Sequence, residues 1–363
     1  MTVGESDFPP GHFMTPDRVS AVIPARNEEA NIARAVRSVA EQAEVSEIII
    51  VDDHSQDATP AILRELQQEI PQLRVVRIGE PPEGWLGKTH ALATGAREAS
   101  GNWLLFTDAD TEHLPGSLAQ VLDRAHREHA DLVSLSPAQE TPTWWEKAVI
   151  PFVFAELARR YRFDRINDPK SADAAANGQY VLIRRPIYES AGGHEAVQEQ
   201  ILEDVALARR VKSRGGRILF LPGDGWVRTH MYDRFGALWD GWRKNLYLLW
   251  DRSLIQVLST FARVWFLDLA PPLGGVLGLV LGLATGRLEP AAIGAACLAL
   301  AAFRRFLYGR ELSRLGFAPN LANYGIVGAA LFSALLIEST LAHRWLGSVS
   351  WKGRDYSTRS EAS

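Results

Sequence analysis

Two aspartates one residue apart, Asp108 and Asp110, close the apolar run Trp103-Leu104-Leu105-Phe106. Alternation along an extended chain places both carboxylates on one side. A buried strand that ends in such a pair offers hard oxygen ligands at the carboxyl edge of a sheet. Mg²⁺ and Mn²⁺ take oxygen ligands, often one or two carboxylates completed by substrate phosphates. Asp-x-Asp alone also suits a solvated turn, so its meaning rests on its surroundings. Two more polar clusters follow apolar runs upstream: Pro24-Ala25-Arg26-Asn27-Glu28, and Asp52-Asp53-His54-Ser55-Gln56-Asp57-Ala58-Thr59. Asp53 is placed to accept a hydrogen bond from a ribose hydroxyl or a base N–H, whereas Asp57 suits capping of the helix that follows.

These residues need a scaffold, and the sequence supplies one. Residues 19–23 read as a strand stopped by Pro24, and residues 28–40 as a helix with Ile32, Ala35, Val36 and Val39 on one face. Residues 48–51 are too apolar for an edge strand. Thr59 and Pro60 then open a helix, as cap and first-turn proline. Residues 73–78 and 103–107 read as strands around a helix at 88–99. Strand and helix alternating at this spacing predict an α/β fold, a mostly parallel sheet with helices on both faces. Such sheets bind ligands outside the carboxyl ends of their strands, where all three polar clusters fall.

With 363 residues, 47% of them hydrophobic, the chain can bury a core in one large domain or two smaller ones. A net charge of −4 gives no ground for a nucleic-acid partner. The single cysteine, Cys297, rules out an intramolecular disulfide and a cysteine-cluster metal site. Residues 1–17 are polar, rich in Pro and Gly, and lack a signal-peptide pattern, so the first domain is expected to stay in the cytoplasm. From about Phe261 the composition changes. Residues 264–284 carry only Asp268 as a charge, and residues 321–342 only Glu338 and Lys-free apolar neighbours. Residues 290–303 are a third apolar run, extended to Tyr308 across Arg304 and Arg305. A membrane helix takes roughly 20 apolar residues, which the first and last of these runs supply. The middle run reads as a shorter or re-entrant segment, and the abundant Gly and Ala suit close helix packing in lipid. Three spans would put Arg304, Arg305, Arg310 and Arg314 inside, but the basic tail with Lys352, Arg354 and Arg359 outside; two spans and a re-entrant segment remove that conflict. The expected division is a polar tail at 1–17, a catalytic domain at 18–250, a membrane region of two to three transmembrane or re-entrant helices at 251–346, and a basic tail at 347–363.

Together these motifs resemble the inverting family 2 glycosyltransferases with the GT-A fold. The resemblance rests on Val22-Ile23-Pro24-Ala25-Arg26-Asn27-Glu28, on Val51 through Thr59, and on Gly84-Trp85-Leu86-Gly87-Lys88. It continues through Asp108-Ala109-Asp110 and Gly192-Gly193-His194 to Glu203-Asp204-Val205-Ala206-Leu207, in the family's order. Gly-Trp-Leu-Gly-Lys before an Ala-Leu helix looks closest to membrane-bound members of the hopene-associated and carotenoid-acid type. The resemblance implies that Pro24, Arg26 and Asp53, with Glu28 beside them, hold the nucleotide. Lys88 falls near that nucleotide, where a solvated helix-start lysine would read the same. Asp108 falls near the ribose or the metal, and Asp110 matches the direct ligand of Mn²⁺ or Mg²⁺. Glu112 takes a place where polyprenyl-phosphate sugar transferases have a further polar ligand, or a surface role. Asp204, with Glu203 before it, matches the catalytic base. An inverting transfer needs a carboxylate that accepts the acceptor's proton as its oxygen attacks the anomeric carbon. The metal stabilises the departing diphosphate.

One stretch departs from the family. Processive members carry Gln-x-x-Arg-Trp, whereas Asp240-Gly241-Trp242-Arg243-Lys244-Asn245 keeps the Arg and lacks the Gln and Trp. That argues for transfer of a single sugar, with Arg243 or Lys244 on the diphosphate. His230, in Arg228-Thr229-His230, reads as a metal or phosphate ligand or as a structural histidine. Residues 144–161 suit either the bilayer interface, through Trp and Arg, or a core helix of the acceptor half. Asn177-Gly178-Gln179-Tyr180 is expected to line the acceptor side.

The reading is a hexosyltransferase anchored by several passes in the cytoplasmic membrane, its catalytic domain facing the cytoplasm. Its partners would be a nucleotide-diphosphate sugar and a lipid acceptor of hopanoid, carotenoid or polyprenyl type, since a soluble acceptor needs no bilayer. A polyprenyl-phosphate sugar transferase and a non-catalytic membrane scaffold with a degenerate sugar-binding domain are the alternatives. Intact Asp53, Asp108, Asp110 and Asp204 argue against the scaffold.

Overall fold

The run Ile48-Ile49-Ile50-Val51 is fully buried and forms the middle of a strand with partners on both sides. The computed structural model describes residues 17–346, 348–351 and 354–357; the rest of the two predicted tails, residues 1–16, 347, 352–353 and 358–363, lies outside the described residues. The first half follows the predicted alternation: β1 (Val19–Ala25), α1 (Ile32–Ala40), β2 (Val45–Asp53), α2 (Thr59–Glu69), β3 (Leu73–Ile78), α3 (Gly87–Glu98) and β4 (Trp103–Thr107). Three boundaries differ from expectation. β1 runs through Pro24, which pairs with Val51 while Ala25 pairs with Asp52. α1 starts four residues late, because the turn before it bonds to the neighbouring loop. Thr59 is the first residue of α2 and not its cap; its hydroxyl accepts from Glu28 N at 2.8 Å.

The chain continues through β5 (Thr111–His113), α4 (Ser117–Arg127), β6 (Leu132–Ser136), β7 (Ala138–Gln139), α5 (Trp144–Arg160) and α6 (Phe163–Ile166). Then come β8 (Tyr180–Arg184), α7 (Arg185–Ser190), α8 (Glu203–Ser213), β9 (Ile218–Pro222), β10 (Val227–Thr229) and α9 (Phe235–Leu249). The main sheet has seven strands in the order β3-β2-β1-β4-β8-β6-β9, and only β8 runs antiparallel to its neighbours. Period-2 alternation divides the core into two layers. Ala21, Ile23, Ile48, Ile50 and Leu105 face α1, α2 and α4, while Val22, Leu104 and Phe106 face α3 and α8. Asp17, expected in the tail, accepts from Trp103 Nε1 at 2.9 Å and lies 2.7 Å from His126 Nε2, so it fastens the chain to the sheet.

The apolar end forms α10 (Leu254–Val264), α11 (Ala270–Thr285), α12 (Leu288–Arg314) and α13 (Gly325–Leu341), followed by the short hairpin β11 (Ser348–Trp351) and β12 (Arg354–Ser357). Three helical stretches, Leu254–Thr285, Leu288–Arg314 and Pro319–Trp345, are long and apolar enough to cross a membrane. The middle run is therefore a full 27-residue helix and not a short segment. The arginine that interrupts it has a partner: Arg304 Nε lies 3.0 Å from Asp268 in the preceding span. Gly278 and Gly294 let α11 and α12 meet, since a Cβ on Gly278 would lie 2.7 Å from the Gly294 Cα. Leu283 and Leu288, each 86% exposed, belong to an apolar surface that the protein leaves uncovered, as membrane association requires. α13 packs against α5 and α9. A Cβ on Gly328 would lie 2.3 Å from Ala148 O, and Val149, Ile150, Phe152 and Val153 are buried, so α5 is a core helix and not an interfacial one.

Candidate active site

The loops after β1 and β2 are laced together by hydrogen bonds. Asn27 N donates to Ser55 Oγ at 3.0 Å, Gln56 N to Asn27 Oδ1 at 2.8 Å, and Ala58 N to Glu29 Oε2 at 2.8 Å. Asn27 and His54 hold left-handed backbones, with φ of 53° and 57°, to make these reaches. Asp57 is the structural member: its carboxylate accepts from Thr59 N at 2.9 Å and Glu29 N at 3.1 Å, which holds its pKa below the usual value despite partial burial. Asp53 is buried at the end of β2, and Arg26 donates to its carbonyl at 2.9 Å. The edge is thus a preset shelf with one guanidinium and two buried carboxylates, Asp52, which accepts from Ser55 N, and Asp53, which lines the cavity.

Asp108 and Asp110 meet that shelf by a different route from the expected one. β4 ends at Thr107 and the chain turns at Ala109, so the pair is not brought together by strand alternation. Ala109 is buried while both aspartates line one cavity. Thr229 from β10 donates to the Asp110 carbonyl at 3.1 Å and fixes the turn. Burial and the Asp110 carboxylate together push the Tyr232 phenol up.

The centre of the site is a lysine among carboxylates. Lys88, in the first turn of α3, places Nζ 2.9 Å from Asp108 Oδ1 and 2.9 Å from Glu203 Oε1. Asp204 is beside them, its Oδ2 accepting from Gly178 N at 2.7 Å and its Oδ1 from Val205 N at 2.8 Å. Burial works against the lysine's charge, but Asp108, Glu203 and Asp204 outweigh it and hold the ammonium well above its ordinary pKa. Burial, then the Glu203 carboxylate, raise Asp204 to about 7 against the pull of Lys88 and the two N–H groups. Gly178 packs closely here: a Cβ would lie 3.1 Å from Lys88 Nζ and 3.3 Å from Asp204 Oδ2 and would crowd both. A carboxylate that titrates near neutrality, aimed into a cavity, is suited to general-base work.

The cavity, of about 410 Å³, joins two unlike ends. One is lined by Pro24, Arg26, Glu28, Asp53, Lys88, Asp108, Asp110, Glu203 and Asp204. The other is mostly apolar and aromatic, with Phe154 and Leu157 from α5, Tyr161 just after it, Met231, Trp242 from α9, and Leu315 after α12. Asn177, Gly178 and Gln179 also line the cavity, with Gly178 against the lysine and its carboxylates.

Two expected site residues, Arg243 and His230, lie elsewhere, Glu112 takes the surface role, and Lys244, the other candidate for the diphosphate, lines the cavity. Arg243 is not among the cavity's lining residues; it donates to Glu338 of α13 at 3.4 Å, because its face of α9 packs on that helix. His230 Nε2 lies 2.9 Å from Glu146 Oε1, a fully buried carboxylate at the start of α5. Among the described residues no three His, Cys, Asp or Glu side chains form a group able to hold a metal ion, so His230 does not complete a ligand set with Asp108 and Asp110. Glu112 accepts from Arg228 at 2.8 Å and 3.0 Å, which makes it a surface partner. The sequence missed the apolar half entirely, apart from the aromatic residues of α5. A divalent cation at Asp108 and Asp110 would find two hard oxygen ligands from the chain and would have to draw the others from a ligand.

Residues 20–192 match glycosyl transferase family 2. The chain is 26% identical over 351 residues to a 4,4'-diaponeurosporenoate glycosyltransferase of Staphylococcus aureus strain USA300, covering 94% of this chain and 89% of the relative. Among solved structures, a mannosyltransferase from Pyrobaculum calidifontis in complex with GDP-Man and Mn²⁺ has the same fold, with a TM-score of 0.51, 21% identity, and coverage of 92% of this chain and 88% of that one. The motif order, the sheet that positions it and these likenesses agree: the chain is a glycosyltransferase that carries a family 2 domain of the GT-A fold over residues 20–192.

Proposed function

We propose that this chain is an inverting glycosyltransferase that moves one sugar from a nucleoside-diphosphate donor to a membrane lipid of carotenoid type. The observation that carries the reading is the single cavity with a charged end and an apolar end. Arg26 and Asp53 would hold the nucleoside, and Lys88 would meet the diphosphate. Asp108 and Asp110 would hold Mn²⁺ or Mg²⁺, which supplies stabilisation of negative charge on the leaving diphosphate. The acceptor oxygen would attack the anomeric carbon from the face opposite the leaving group, which inverts the centre; where that oxygen belongs to a hydroxyl Asp204 would take its proton, whereas a carboxylate attacks with none to give. Gly178 N and Val205 N orient this carboxylate. Phe154, Leu157, Tyr161 and Met231 would exclude water and seat a hydrocarbon chain.

The acceptor class comes from two sources. The apolar end is built by α5 and α9, the helices on which the apolar helix α13 packs. The Staphylococcus aureus relative is by name a glycosyltransferase of a carotenoid acid, and its likeness spans nearly the whole chain. In this reading the three apolar helices cross the cytoplasmic membrane, and the cavity opens on the cytoplasmic side. The test uses the full-length chain in lipid nanodiscs, radiolabelled UDP-, GDP- and dTDP-sugars, Mn²⁺, and a carotenoid monocarboxylic acid. The expected product is a glycosylated carotenoid whose anomeric configuration, read by NMR, is opposite to the donor's. Retention of configuration would overturn the mechanism, and release of free sugar with no lipid product would overturn the acceptor.

A further inference from the structure

Helix α9 has two faces, one against α13 and one on the cavity. At 100° per residue, Trp239, Arg243 and Tyr247 share a side. That side belongs to α13: Trp239 Nε1 donates to Glu338 at 2.6 Å, Arg243 donates to the same carboxylate, and Tyr247 N donates to Ser339 Oγ at 2.9 Å. Trp242, Asn245 and Leu249 lie on the opposite side and line the apolar end of the cavity. The Trp242 side chain is held in place by Phe154, with ring centroids 6.3 Å apart and planes at 89°.

This face carries two unanswered polar atoms. Trp242 is 6% exposed, yet its indole Nε1 has no hydrogen-bond partner among the described residues. The buried Oδ1 of Asn245, one turn away, has none either. A buried donor or acceptor left unpaired is unfavourable, and native proteins pair nearly all of them with protein, water or ligand. Here the two unmet atoms are complementary, a donor and an acceptor one turn apart, on a wall that they share with Lys244, Leu249, Phe154 and Leu157.

We propose that Trp242 and Asn245 form a polar subsite that grips the oxygen function, hydroxyl or carboxyl, of an otherwise apolar acceptor. The proposal rests on the lipid-acceptor reading above. On entry a hydroxyl satisfies both atoms as they stand, accepting from the Trp242 N–H and donating to Asn245 Oδ1, and it must leave Asn245 before it gives its proton to Asp204. A carboxylate accepts from the same indole N–H and from Asn245 Nδ2 once the amide is turned over. The subsite therefore selects a lipid with a polar end over a plain hydrocarbon, and it sets how that end enters the charged half of the cavity.

The two chemistries are separated by two probes that share a skeleton, retinoic acid and retinol, given to the full-length protein in nanodiscs with the donor found in the screen above. Trp242→Phe keeps the ring and removes the N–H. It is expected to raise the acceptor KM for both probes roughly fivefold to thirtyfold with little change in kcat, the loss of one buried hydrogen bond. Asn245→Asp can still accept from a hydroxyl but repels a carboxylate. It is expected to lower kcat/KM for the acid at least about tenfold relative to the alcohol. Melting temperatures close to wild type establish that the variants fold, and Trp242→Phe decides the matter if Asn245→Asp does not. Wild-type transfer with an unchanged acceptor KM in Trp242→Phe and an unchanged acid-to-alcohol ratio in Asn245→Asp overturns the subsite alone. Failure of the wild type to transfer to either probe overturns the lipid-acceptor reading and the subsite with it.

Discussion

Replacing Asp204 with Asn should make the enzyme slower and the fold stronger. The folded chain holds this carboxyl near 7 instead of 3.8, through burial and the Glu203 charge. Keeping it ionised therefore costs the folded state on the order of 2–4 kcal/mol. The sign follows from the two ionisations. The unfolded chain loses the proton near pH 4 and the folded chain only near pH 7, so this part of the stability is fully present below about pH 4. It falls across the interval between those values and stays low above pH 7. Asn keeps the shape and can still accept from Gly178 N or Val205 N, but carries no charge. Asp204→Asn should accordingly melt several degrees higher than wild type at pH 8 and at the same temperature at pH 4. With a hydroxyl acceptor, loss of a general base should lower transfer at least about a hundredfold while leaving donor affinity nearly intact. Differential scanning fluorimetry across pH, calorimetry with nucleotide sugar, and a transfer assay check the three parts. A variant that melts lower than wild type at pH 8 would refute the electrostatic account, and one that transfers at the wild-type rate would place the base elsewhere.

Other changes test the supporting structure. Lys88→Met leaves Asp108, Glu203 and Asp204 facing one another without a cation; melting temperature should fall at pH 8 and recover toward wild type as the pH drops below about 7 and Asp204 takes up a proton, which fluorimetry over pH will show. With wild-type protein and a hydroxyl acceptor, kcat/KM should rise with pH through about 7 and reach a plateau above it, as a base of that pKa requires; a profile flat from pH 5 to 9 would contradict the assignment. Gly278→Val drives a side chain into Gly294 and should destabilise the α11–α12 hairpin by about 1–3 kcal/mol, read as a lower melting temperature in detergent.

The sheet was legible because its central strands are buried on both faces and so are apolar without alternation, as at residues 48–51 and 103–107. The polar residues at the strand ends were legible for the same reason, since a carboxylate after such a run falls at the edge of a parallel sheet. The manner of their meeting was not. Asp108 and Asp110 converge through a turn that Thr229 pins from far along the chain, and no local pattern announces that bond. The lysine cluster was half visible: Lys88 and Glu203 each stood in a motif, but their pairing depends on how α3 and α8 approach. Arg243 and His230 went astray because a helix or loop side chain can point to either of two neighbours. α13 and Glu146 took them, and both contacts span much of the sequence. Trp242 and Asn245 were hidden by the same fact. The side of α9 that faces the cavity is set by which side α13 covers, and a helix with aromatic and polar residues on both faces does not reveal it.

The central claim is metal-dependent transfer of a sugar to an apolar acceptor, with Asp110 at the metal. The direct measurement is transfer of radiolabelled sugar to a carotenoid acid by the full-length protein in nanodiscs, wild type beside Asp110→Ala, each with Mn²⁺ and with chelator. The account predicts label in the lipid product for wild type with Mn²⁺ alone, and none above background for the variant or under chelation. Lipid product formed equally well by Asp110→Ala, or by wild type under chelation, would contradict it.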